Sequence, residues 1–394
     1  MKIAMVSEHA SPLAAMGGAD AGGQNVHVAQ LAAALSRQDH EVSVYSRRDR
    51  PDLPERIASP DGYEVVHIEA GPAERVPKDR LLPHMGVFAE RLRTIWDAEP
   101  PDIAHAHFWM SGLASLRAAD SRDLPVVQTY HALGTVKRRH QGEADTSPPD
   151  RTRFERDLGA RCAGIIATCR DEVAELADMG VSEDKVAVIP CGVDLDHFNP
   201  LGPLAEHADR HRIVTAGRLV PRKGVDTAIK ALQYLPHTEL VIAGGPAEGP
   251  VHSDPEARRL HRIAREADVS DRVRMPGRVP HEAMPAQFRS ADVVVCTPWY
   301  EPFGIVPLEA MACGVPVVAG AVGGMTDSVE DGVTGTLVPD GAAPEAVAEA
   351  IRPYLEDVEL GRRTGQAGRL RACALYSWDA IATETIKAYE LAAA

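Results

Sequence analysis

The stretch that decides the fold runs from Tyr300 to Gly314 and reads YEPFGIVPLEAMACG. It follows the apolar run DVVVCTP, Asp292 to Pro298, and leads into a second run, PVVAGA, Pro316 to Ala321. Short valine-rich runs of this kind are typical of strands buried on both faces of a parallel sheet. Within the stretch, apolar residues recur at helical spacing, at Ile305, Leu308, Met311 and Ala312. The sequence therefore predicts a strand, a tight turn and a helix.

Two glutamates lie in this stretch, Glu301 in the turn and Glu309 on the helix, with seven residues between them. Open parallel sheets bind ligands at the carboxyl ends of their strands, where a helix N-terminus favours an anion such as a phosphate. Because a carboxylate would repel that phosphate, the glutamates are better suited to accept hydrogen bonds from the hydroxyls of a sugar or a ribose. The alternative is that Glu301 caps the helix and Glu309 is a solvated helix residue.

Short apolar runs alternate with helical segments along all 394 residues, which predicts doubly wound α/β domains. The predicted strands are residues 2–7, 41–46, 63–69, 102–108, 125–131, 164–168, 186–190, 212–217, 239–244, 272–276, 292–298 and 316–321. The length suits two domains of roughly 200 residues each. We expect one domain at 1–197, a second at 198–376, and a last helix at 377–394 that crosses back to the first. The linker is expected in CGVDLDHFNPLGP, Cys191 to Pro203, which has no periodicity.

Composition excludes several classes of protein. A formal net charge of −15 lacks the electrostatic footprint of a nucleic-acid binder. The six cysteines have no CxxC spacing and are interpreted as reduced core thiols. The start, MKIAMVSEHA, is typical of a strand rather than a signal peptide, and no apolar run reaches the roughly 18 residues that a membrane helix needs. We expect a cytoplasmic protein with no integral membrane segment and no nucleic-acid partner.

A glycine-rich segment, GGADAGGQN from Gly17 to Asn25, follows the first predicted strand and opens a helix. Glycines let the backbone approach a ligand closely. The segment lacks GxGxxG spacing, and no acidic residue follows at the expected strand end, so a nicotinamide cofactor is not indicated. A surface loop with no role is the alternative.

Two cations follow a strand of the second half. The segment AGRLVPRKG, Ala216 to Gly224, places Arg218 just after the strand and Lys223 five residues later. Fixed positive groups stabilise the charge that grows on a departing phosphate, so the pair suits a pyrophosphate. Solvated loop cations are the alternative interpretation.

Metal sites are not predicted. His105, His107 and His131 end two strands at one edge of the first sheet, and an HxH pair can ligate zinc, but no third ligand set is apparent. Asp194 and Asp196 resemble a metal-binding DxD motif. Their place in the linker favours turn and cap chemistry instead.

Together these segments resemble the retaining glycosyltransferases of family 4, which have the GT-B fold of two Rossmann-like domains facing across a cleft. The resemblance spans the whole chain and rests on Glu301 and Glu309, on GRL and KG at Arg218 and Lys223, on the Gly22–Gly23 loop and on the linker GVD. Within the family, GADAGGQNVHV, HAHFWMSG and HALGTVK are similar to the branch of the mycothiol-pathway N-acetylglucosaminyl-inositol-phosphate transferases and the sucrose-phosphate synthases.

The resemblance implies a role for each matching residue. The catalytic set is Arg218 and Lys223 on the donor diphosphate, with Glu301 and His131 on the transferred sugar. The donor-binding set is Gly22, Gly23, Arg278, Val279, Phe303, Gly304, Ile305 and Glu309. In that set Glu309 would hold the ribose, and the main chain at Arg278 and Val279 would meet the base.

The acceptor-binding set implied by the resemblance is Asn25, Lys78, Phe108, Ala132, Arg151 and Arg153. In the mycothiol enzyme a lysine, a tyrosine, a threonine and an arginine hold the acceptor phosphate. This chain keeps Lys78 but has Phe108 and Ala132 at the tyrosine and threonine places, and either Arg151 or Arg153 supplies the arginine. The run from Lys137 to His140 is a further candidate for an anionic acceptor. The two lost hydroxyls predict that inositol phosphate is not the preferred acceptor.

The function expected from the sequence is a metal-independent, retaining transfer of a sugar, with UDP favoured, to a small hydroxylated acceptor. No cofactor is expected beyond the nucleotide-sugar, and the partners are this donor, the small acceptor and possible second copies of the chain in a homodimer. Two alternatives remain open. A GT-B nucleotide-sugar 2-epimerase would consume the donor without an acceptor, and a non-catalytic nucleotide-sugar-binding protein would bind it only.

Overall fold

The computed structural model describes residues 1–13, 22–120, 122–206, 208–246 and 249–394. They form two compact units, Met1–Pro190 with Trp378–Ala394, and Cys191–Ser377. The expected linker belongs to the second unit, because the backbone N–H of Val193 donates to the carbonyl of Tyr376 (2.7 Å) and Phe198 is buried in that unit's core. The first unit therefore ends at Pro190 rather than near residue 197.

The first unit contains an eight-stranded sheet in the order β3-β4-β2-β1-β5-β6-β7-β8. Its strands are β1 (Lys2–Val6), β2 (Glu41–Arg47), β3 (Arg56–Ala58), β4 (Glu64–Ile68), β5 (Ile103–His107), β6 (Val126–Thr129), β7 (Gly164–Ala167) and β8 (Val186–Val188). All pair in parallel except β3, which is antiparallel to β4. The helices are α1 (Gly23–Arg37), α2 (Met85–Ala98), α3 (Trp109–Ala119), α4 (Gly134–Gln141), α5 (Arg151–Arg161) and α6 (Arg170–Asp178).

The second unit contains a parallel sheet in the order β11-β10-β9-β12-β13-β14. Its strands are β9 (His211–Ala216), β10 (Thr238–Ala243), β11 (Val273–Gly277), β12 (Val293–Cys296), β13 (Val317–Gly320) and β14 (Gly335–Val338). The helices are α7 (Val225–Ala231), α8 (Pro255–Glu266), α9 (Met284–Arg289), α10 (Ile305–Ala312), α11 (Met325–Ser328), α12 (Pro344–Glu356) and α13 (Val358–Leu375). The predicted strand, turn and helix around Glu301 are confirmed as β12, its loop and α10.

Each sheet reverses its strand order once, and this fixes where a ligand can bind. In the first unit β1 lies between β2 and β5, and in the second β9 lies between β10 and β12. At such a reversal the connections on either side leave in opposite directions, which opens a crevice beyond the carboxyl ends of the two central strands. Candidate sites are therefore expected after β1 and β5 and after β9 and β12.

The C-terminal helix α14 (Trp378–Ala393) packs on α1 of the first unit. Its buried face holds Trp378, Ile381, Thr385 and Tyr389, which recur three to four residues apart and so lie on one side of the helix. At its exposed end Arg37 forms an ion pair with Asp379 (2.7 Å). The helix thus covers part of the first unit's core although it lies at the far end of the sequence.

Four buried histidines lie beneath α14. The ring of His27 lies 5.5 Å from that of Trp378 and 5.1 Å from that of His131. His105 is hydrogen-bonded through Nδ1 to the Tyr389 hydroxyl (2.7 Å), and His107 Nδ1 lies 2.9 Å from His131 Nε2. Among the described residues, no atom hydrogen-bonds to Nε2 of His107.

Burial keeps these rings neutral. It lowers the pKa of His27 to about 4, and burial followed by the charge of His27 lowers that of His105 to about 3. The pKa values of His107 and His131 also fall well below the usual range, first because of burial and then because of the neighbouring histidines. Burial of a charged imidazole is unfavourable, so the folded state binds fewer protons here than the unfolded state.

We therefore expect the first unit to lose stability in mild acid. Below pH 6.5 the unfolded histidines take up protons and the folded ones do not, so stability present above pH 6.5 is lost as the pH falls toward 4. For His27 alone the pKa shift corresponds to about 3 kcal/mol. Buried Glu172, whose pKa burial raises to about 7, and buried Glu155, whose pKa burial also raises, act in the opposite direction, but the four histidines outnumber them.

Urea denaturation followed by tryptophan fluorescence tests this, because Trp96, Trp109 and Trp378 all lie in the first unit. His27→Gln should flatten the fall in the denaturation midpoint between pH 6.5 and 4.5, whatever its effect at pH 7. The exposed His252→Gln is the matched control. An equal pH slope in the wild type and the His27 variant would contradict the assignment.

Candidate functional site

In the second unit, the loops after β9 and β12 are tied together at the reversal of strand order. The backbone N–H of Trp299 donates to the carbonyl of Arg222 (2.9 Å), and the Thr297 hydroxyl donates to the carbonyl of Gly224 (2.9 Å). Gly224 has φ +64°, and a Cβ there would collide with the Thr297 carbonyl oxygen. Only glycine fits this position without strain. The turn that ends at Lys223 is therefore held against the start of the Glu301 loop.

This contact brings Lys223 and Glu301 into an ion pair between Nζ and Oε2. The side chains are 21 % and 11 % exposed, so the pair is largely shielded from water. Burial alone would raise the pKa of Glu301, but the charge and hydrogen bond of Lys223, with smaller contributions from Arg222 and the Phe303 N–H, lower it below the usual value. Glu301 is therefore a buried carboxylate that needs its cation.

Glu309 lies on α10 and is partly buried. Burial raises its pKa to about 8, against the opposing charge of Lys223. The free protein therefore holds this carboxyl mainly protonated at pH 7. The expectation of an ionised Glu309 that only accepts from hydroxyls needs revision, because a neutral carboxyl donates one hydrogen bond and accepts others.

The other residues of this unit that are implied for the donor follow three different strands of the sheet. Gly304 has φ +65° and precedes α10, so Phe303, Gly304 and Ile305 form the turn into that helix. The N–H of Gly324, in the loop after β13, donates to the carbonyl of Glu301 (2.9 Å) and holds this turn in place. Arg218 is exposed and follows β9, while exposed Arg278 and partly buried Val279 follow β11, two strands away in the sheet.

In the first unit, four of the six residues implied for the acceptor lie together. Phe108 follows β5 with φ +80° and ψ 153°, a conformation that side chains rarely adopt and that is found most often at functional sites. The ring of Phe108 has Lys78 Nζ 5.9 Å and Arg151 Cζ 5.1 Å from its centroid. Arg151 also donates to the carbonyl of Ala132. The structure thus brings Lys78, Phe108, Ala132 and Arg151 into one cluster.

The guanidinium of Arg151 is already engaged. It is 2 % exposed, its Nε donates to Glu155 (2.7 Å), and its Nη1 donates to the Ser147 hydroxyl (3.2 Å). Arg153, two residues after Arg151 on α5, is exposed and pairs with Asp150 (3.6 Å). Of the two arginines that the sequence left open, only Arg151 reaches Phe108.

The cationic run of α4 is also engaged. Lys137 pairs with Asp145 (3.0 Å), and Arg139 forms two hydrogen bonds to Glu175 (2.6 and 2.9 Å). Asp145 has a pKa of about 2, because hydrogen bonds to Ser147 and Lys137 outweigh its burial. These ion pairs leave the run a weaker candidate for binding an anionic acceptor.

The glycine-rich segment is described from Gly22 onward, and Gly17 to Ala21 lie outside the described residues. Gly22 caps α1, and Gly23 is the first residue of that helix. The amide of Asn25 accepts from the Gly22 N–H (3.0 Å) and donates to the Ser11 carbonyl (2.9 Å), so this side chain links the start of α1 to the segment after β1. The contacts of Gly22 and Gly23 with a donor stay predictions.

His131 is buried in the first unit. His131 has φ +61°, is 4 % exposed and stacks on His107 at 5.1 Å. Its contact with a transferred sugar stays a prediction.

Asp194 Oδ1 accepts from the N–H groups of Asp196 (3.1 Å) and His197 (3.0 Å), which confirms the turn interpretation of the DxD motif.

Within the described residues, no three or more His, Cys, Asp or Glu side chains are grouped so that they could hold a metal ion. No helix among those residues is long and apolar enough to cross a membrane.

One polar cluster beside the residues implied for the acceptor was not predicted from the sequence. Glu8 and His9 directly follow β1, and Ser111 lies in the first turn of α3. His9 meets Glu8 through Nδ1 at 2.7 Å, and its ring lies 4.8 Å from that of Phe108. Adjacent acidic and imidazole side chains at a strand's carboxyl end were the available signal.

Comparison with known proteins follows the division into units. The family described as Glycosyltransferase Family 4 matches residues 21–197, and the family described as Glycosyl transferases group 1 matches residues 203–371. The D-inositol 3-phosphate glycosyltransferases of Xylanimonas cellulosilytica and Kineococcus radiotolerans are each 35% identical to this chain. The alignments cover 98% of this chain and 96% of the first relative, and 99% and 95% for the second.

Solved structures give the same result. The sucrose-phosphate synthase of Thermosynechococcus elongatus superposes with a TM-score of 0.88 at 32% identity, over 99% of this chain and 98% of that one. HepE of Anabaena, in complex with UDP and glucose, superposes with a TM-score of 0.75 at 19% identity, over 98% of each chain. Two parallel-sheet units, their residue motifs and full-length relatives agree, and the chain belongs to the family 4 glycosyltransferases of GT-B fold.

Proposed function

We propose that this glycosyltransferase acts with retention and moves a sugar from a nucleotide-sugar, with UDP favoured, to a small neutral polyol. The observation that carries the donor assignment is the shielded Lys223–Glu301 pair at the reversal of strand order in the second unit. A buried cation at the carboxyl ends of parallel strands, beside a helix N-terminus, suits a diphosphate. The preference for UDP over other nucleotides rests on the sequence resemblance.

In the proposed reaction a diphosphate replaces Glu301 as the partner of Lys223. Arg218, Lys223 and the N-terminus of α10 then stabilise the charge that grows on the leaving group, as a metal ion does elsewhere. The bond between the sugar carbon and the phosphate oxygen breaks, and the acceptor oxygen attacks from the same face. The acceptor's proton passes to the leaving phosphate, which gives a glycoside and a nucleoside diphosphate.

A donor panel tests this proposal directly. UDP-, GDP- and ADP-sugars are incubated with the protein in EDTA, with and without polyol acceptors, and free sugar, nucleoside diphosphate and glycoside are measured. The proposal requires glycoside with retained configuration from one donor despite the chelator. Donor consumed equally without acceptor would favour the 2-epimerase, and binding without turnover would favour the non-catalytic protein.

Arg218→Ala and Lys223→Ala should each lower kcat by about 10² to 10³, the usual loss when one group that stabilises transition-state charge is removed. Folding should change little for Arg218, which is exposed. The exposed Lys230→Ala on α7 is the matched control and should keep wild-type turnover. Turnover of either site variant within a few-fold of wild type would rule out the diphosphate contact.

Nucleotide affinity should depend on pH through Glu309. Its pKa of about 8 means that the carboxyl ionises between pH 7 and 9, and an ionised carboxylate accepts stronger hydrogen bonds from ribose hydroxyls than a neutral acid. Calorimetry of the nucleoside diphosphate should show up to about tenfold tighter binding at pH 9 than at pH 7, and Glu309→Gln should remove this change. Equal pH dependence in both proteins would exclude a ribose contact.

The acceptor assignment rests on how few hydrogen-bond donors the cluster around Phe108 offers. A ring and a methyl group stand at Phe108 and Ala132, and the nitrogens of Arg151 donate to Glu155, Ser147 and Ala132. Lys78 is a point charge and does not fix a phosphate's orientation as a fork of donors does. A phosphate that loses donors loses binding of roughly 1 to 3 kcal/mol for each. These contacts favour a neutral polyol.

A second candidate acceptor is inositol 3-phosphate, which the names of the full-length relatives favour. We expect kcat/KM for inositol 3-phosphate to be no higher than for free myo-inositol. The double variant Phe108→Tyr with Ala132→Thr should raise kcat/KM for the phosphate by at least about tenfold, because it restores two hydroxyl donors. If the wild type prefers the phosphate by tenfold or more, the phosphorylated acceptor is the correct one.

A further inference from the structure

The segment after β1 contains a hydrogen-bonded chain of three side chains. Ser111 donates its hydroxyl proton to Glu8 Oε2, and the backbone N–H of Glu8 donates to Ser111 Oγ (3.1 Å). The other carboxylate oxygen, Oε1, lies 2.7 Å from His9 Nδ1. Both oxygens of Glu8 are therefore engaged, one by the Ser111 hydroxyl and one by the His9 imidazole.

Glu8 is the buried centre of this hydrogen-bonded chain, and His9 is its more accessible end. Glu8 is 1 % exposed and Ser111 is fully buried in the first turn of α3, where the positive end of the helix dipole stabilises a carboxylate. The His9 side chain is 11 % exposed. No hydrogen bond joins its Nε2 to any residue within the described ranges. A carboxylate on Nδ1 holds the proton there and leaves the Nε2 lone pair as an acceptor in the neutral ring.

The place of His9 in the fold points to the acceptor. It follows β1 and Phe108 follows β5, the two central strands at which the first sheet reverses its order. The two rings meet edge to face at 4.8 Å, so His9 contacts the same Phe108 ring as Lys78 and Arg151. In a cluster that offers few free donors, His9 contributes an acceptor atom.

We propose that Glu8 is a positioning residue that fixes His9 to accept a hydrogen bond from an acceptor hydroxyl, and that this pair selects a neutral polyol over an anionic one. The proposal rests on the proposed function and names the group that discriminates. A hydroxyl donates to Nε2, whereas a phosphate at neutral pH has mainly acceptor oxygens and meets a lone pair with a carboxylate behind it. Specificity of this kind comes from leaving the wrong partner's atoms unsatisfied.

The first test measures directly which ring nitrogen of His9 carries the proton. In the wild type, nitrogen NMR of the histidine side chains, with His9 identified from the His9→Gln spectrum, should show Nδ1 protonated and Nε2 unprotonated. Glu8→Gln removes the carboxylate and should populate the other tautomer. Wild-type Nε2 protonated in the neutral ring, or an unchanged spectrum in Glu8→Gln, would overturn the proposal. This measurement needs no substrate, so its result is independent of the proposed function.

The second test measures KM for the acceptor and the preference between two acceptors. Glu8→Gln should raise KM for myo-inositol about tenfold and narrow the preference for myo-inositol over inositol 3-phosphate by a similar factor. Glu8→Asp, which keeps the charge, should recover part of both. Ser111→Ala should change both in the same direction by a smaller factor, and serves if Glu8→Gln folds poorly. The exposed Glu90→Gln is the matched control.

The results distinguish a failure of the role proposed for Glu8 and His9 from a failure of the proposed function. Lower thermal stability with unchanged KM and unchanged acceptor preference would mean that Glu8 only ties the loop to α3. An active wild type that prefers the phosphate by tenfold or more would also overturn the selection role. A wild type inactive with every donor would overturn the proposed function, while the tautomer result would still stand on its own.

Discussion

In a parallel sheet every loop that follows a strand leaves at the same edge, and both candidate sites are built from such loops. The constraint acts most strongly where the order of the strands reverses, because no connection crosses over the sheet there. In the first unit it brings together the ends of β1 and β5, and in the second the ends of β9 and β12. Residues 78 positions apart, Lys223 and Glu301, can therefore meet without any long-range motif in the sequence.

The charges of the second unit show what such an edge does to ionisable groups. Lys223 keeps Glu301 ionised, and Glu309, without a cation of its own, is held mainly protonated by burial. The Lys223 cation thus faces one ionised carboxylate, with Arg222 as a further positive group nearby. Burying a second carboxylate charge unpaired would be unfavourable. In the proposed reaction an entering diphosphate would compete with Glu301 for Lys223, so the Glu301 loop and the Lys223 cation would respond together.

Much of this arrangement could be predicted from the sequence, for identifiable reasons. The strand, turn and helix at residues 292–312 are marked by a valine run followed by helical spacing, and α14 by an apolar face of four residues. Strands β3 and β14 were not predicted, because RIA and GTLV are short edge strands that show no clear alternation of polar and apolar residues. The segment 191–203 was placed in the linker since two prolines and no periodicity conceal how Val193 and Phe198 pack into the second unit.

Side-chain partners were harder to predict than elements. Arg151 rather than Arg153 reaches Phe108 because α5 turns Arg151 inward, toward Glu155 four residues later. The spacing of that pair was present in the sequence, but its burial was not. The protonation of Glu309 depends on how much protein surrounds it, which no local pattern encodes. Likewise, the strained backbone of Phe108 gives no signal in the sequence, since most residues with positive φ are glycine, asparagine or aspartate.

The acceptor side shows why relatives 35% identical over the full length define the reaction better than the substrate. Transfer of a sugar depends on fixing a diphosphate, and the residues expected to do so are all present here. Recognition of an acceptor depends on whether each polar atom of that molecule meets a donor or an acceptor, and a change of two side chains reverses this. This chain has a ring at Phe108 and a methyl group at Ala132, and His9, held by Glu8, lies against the Phe108 ring. In the proposed acceptor site both features favour the same ligand, one that brings hydroxyl protons rather than negative charge.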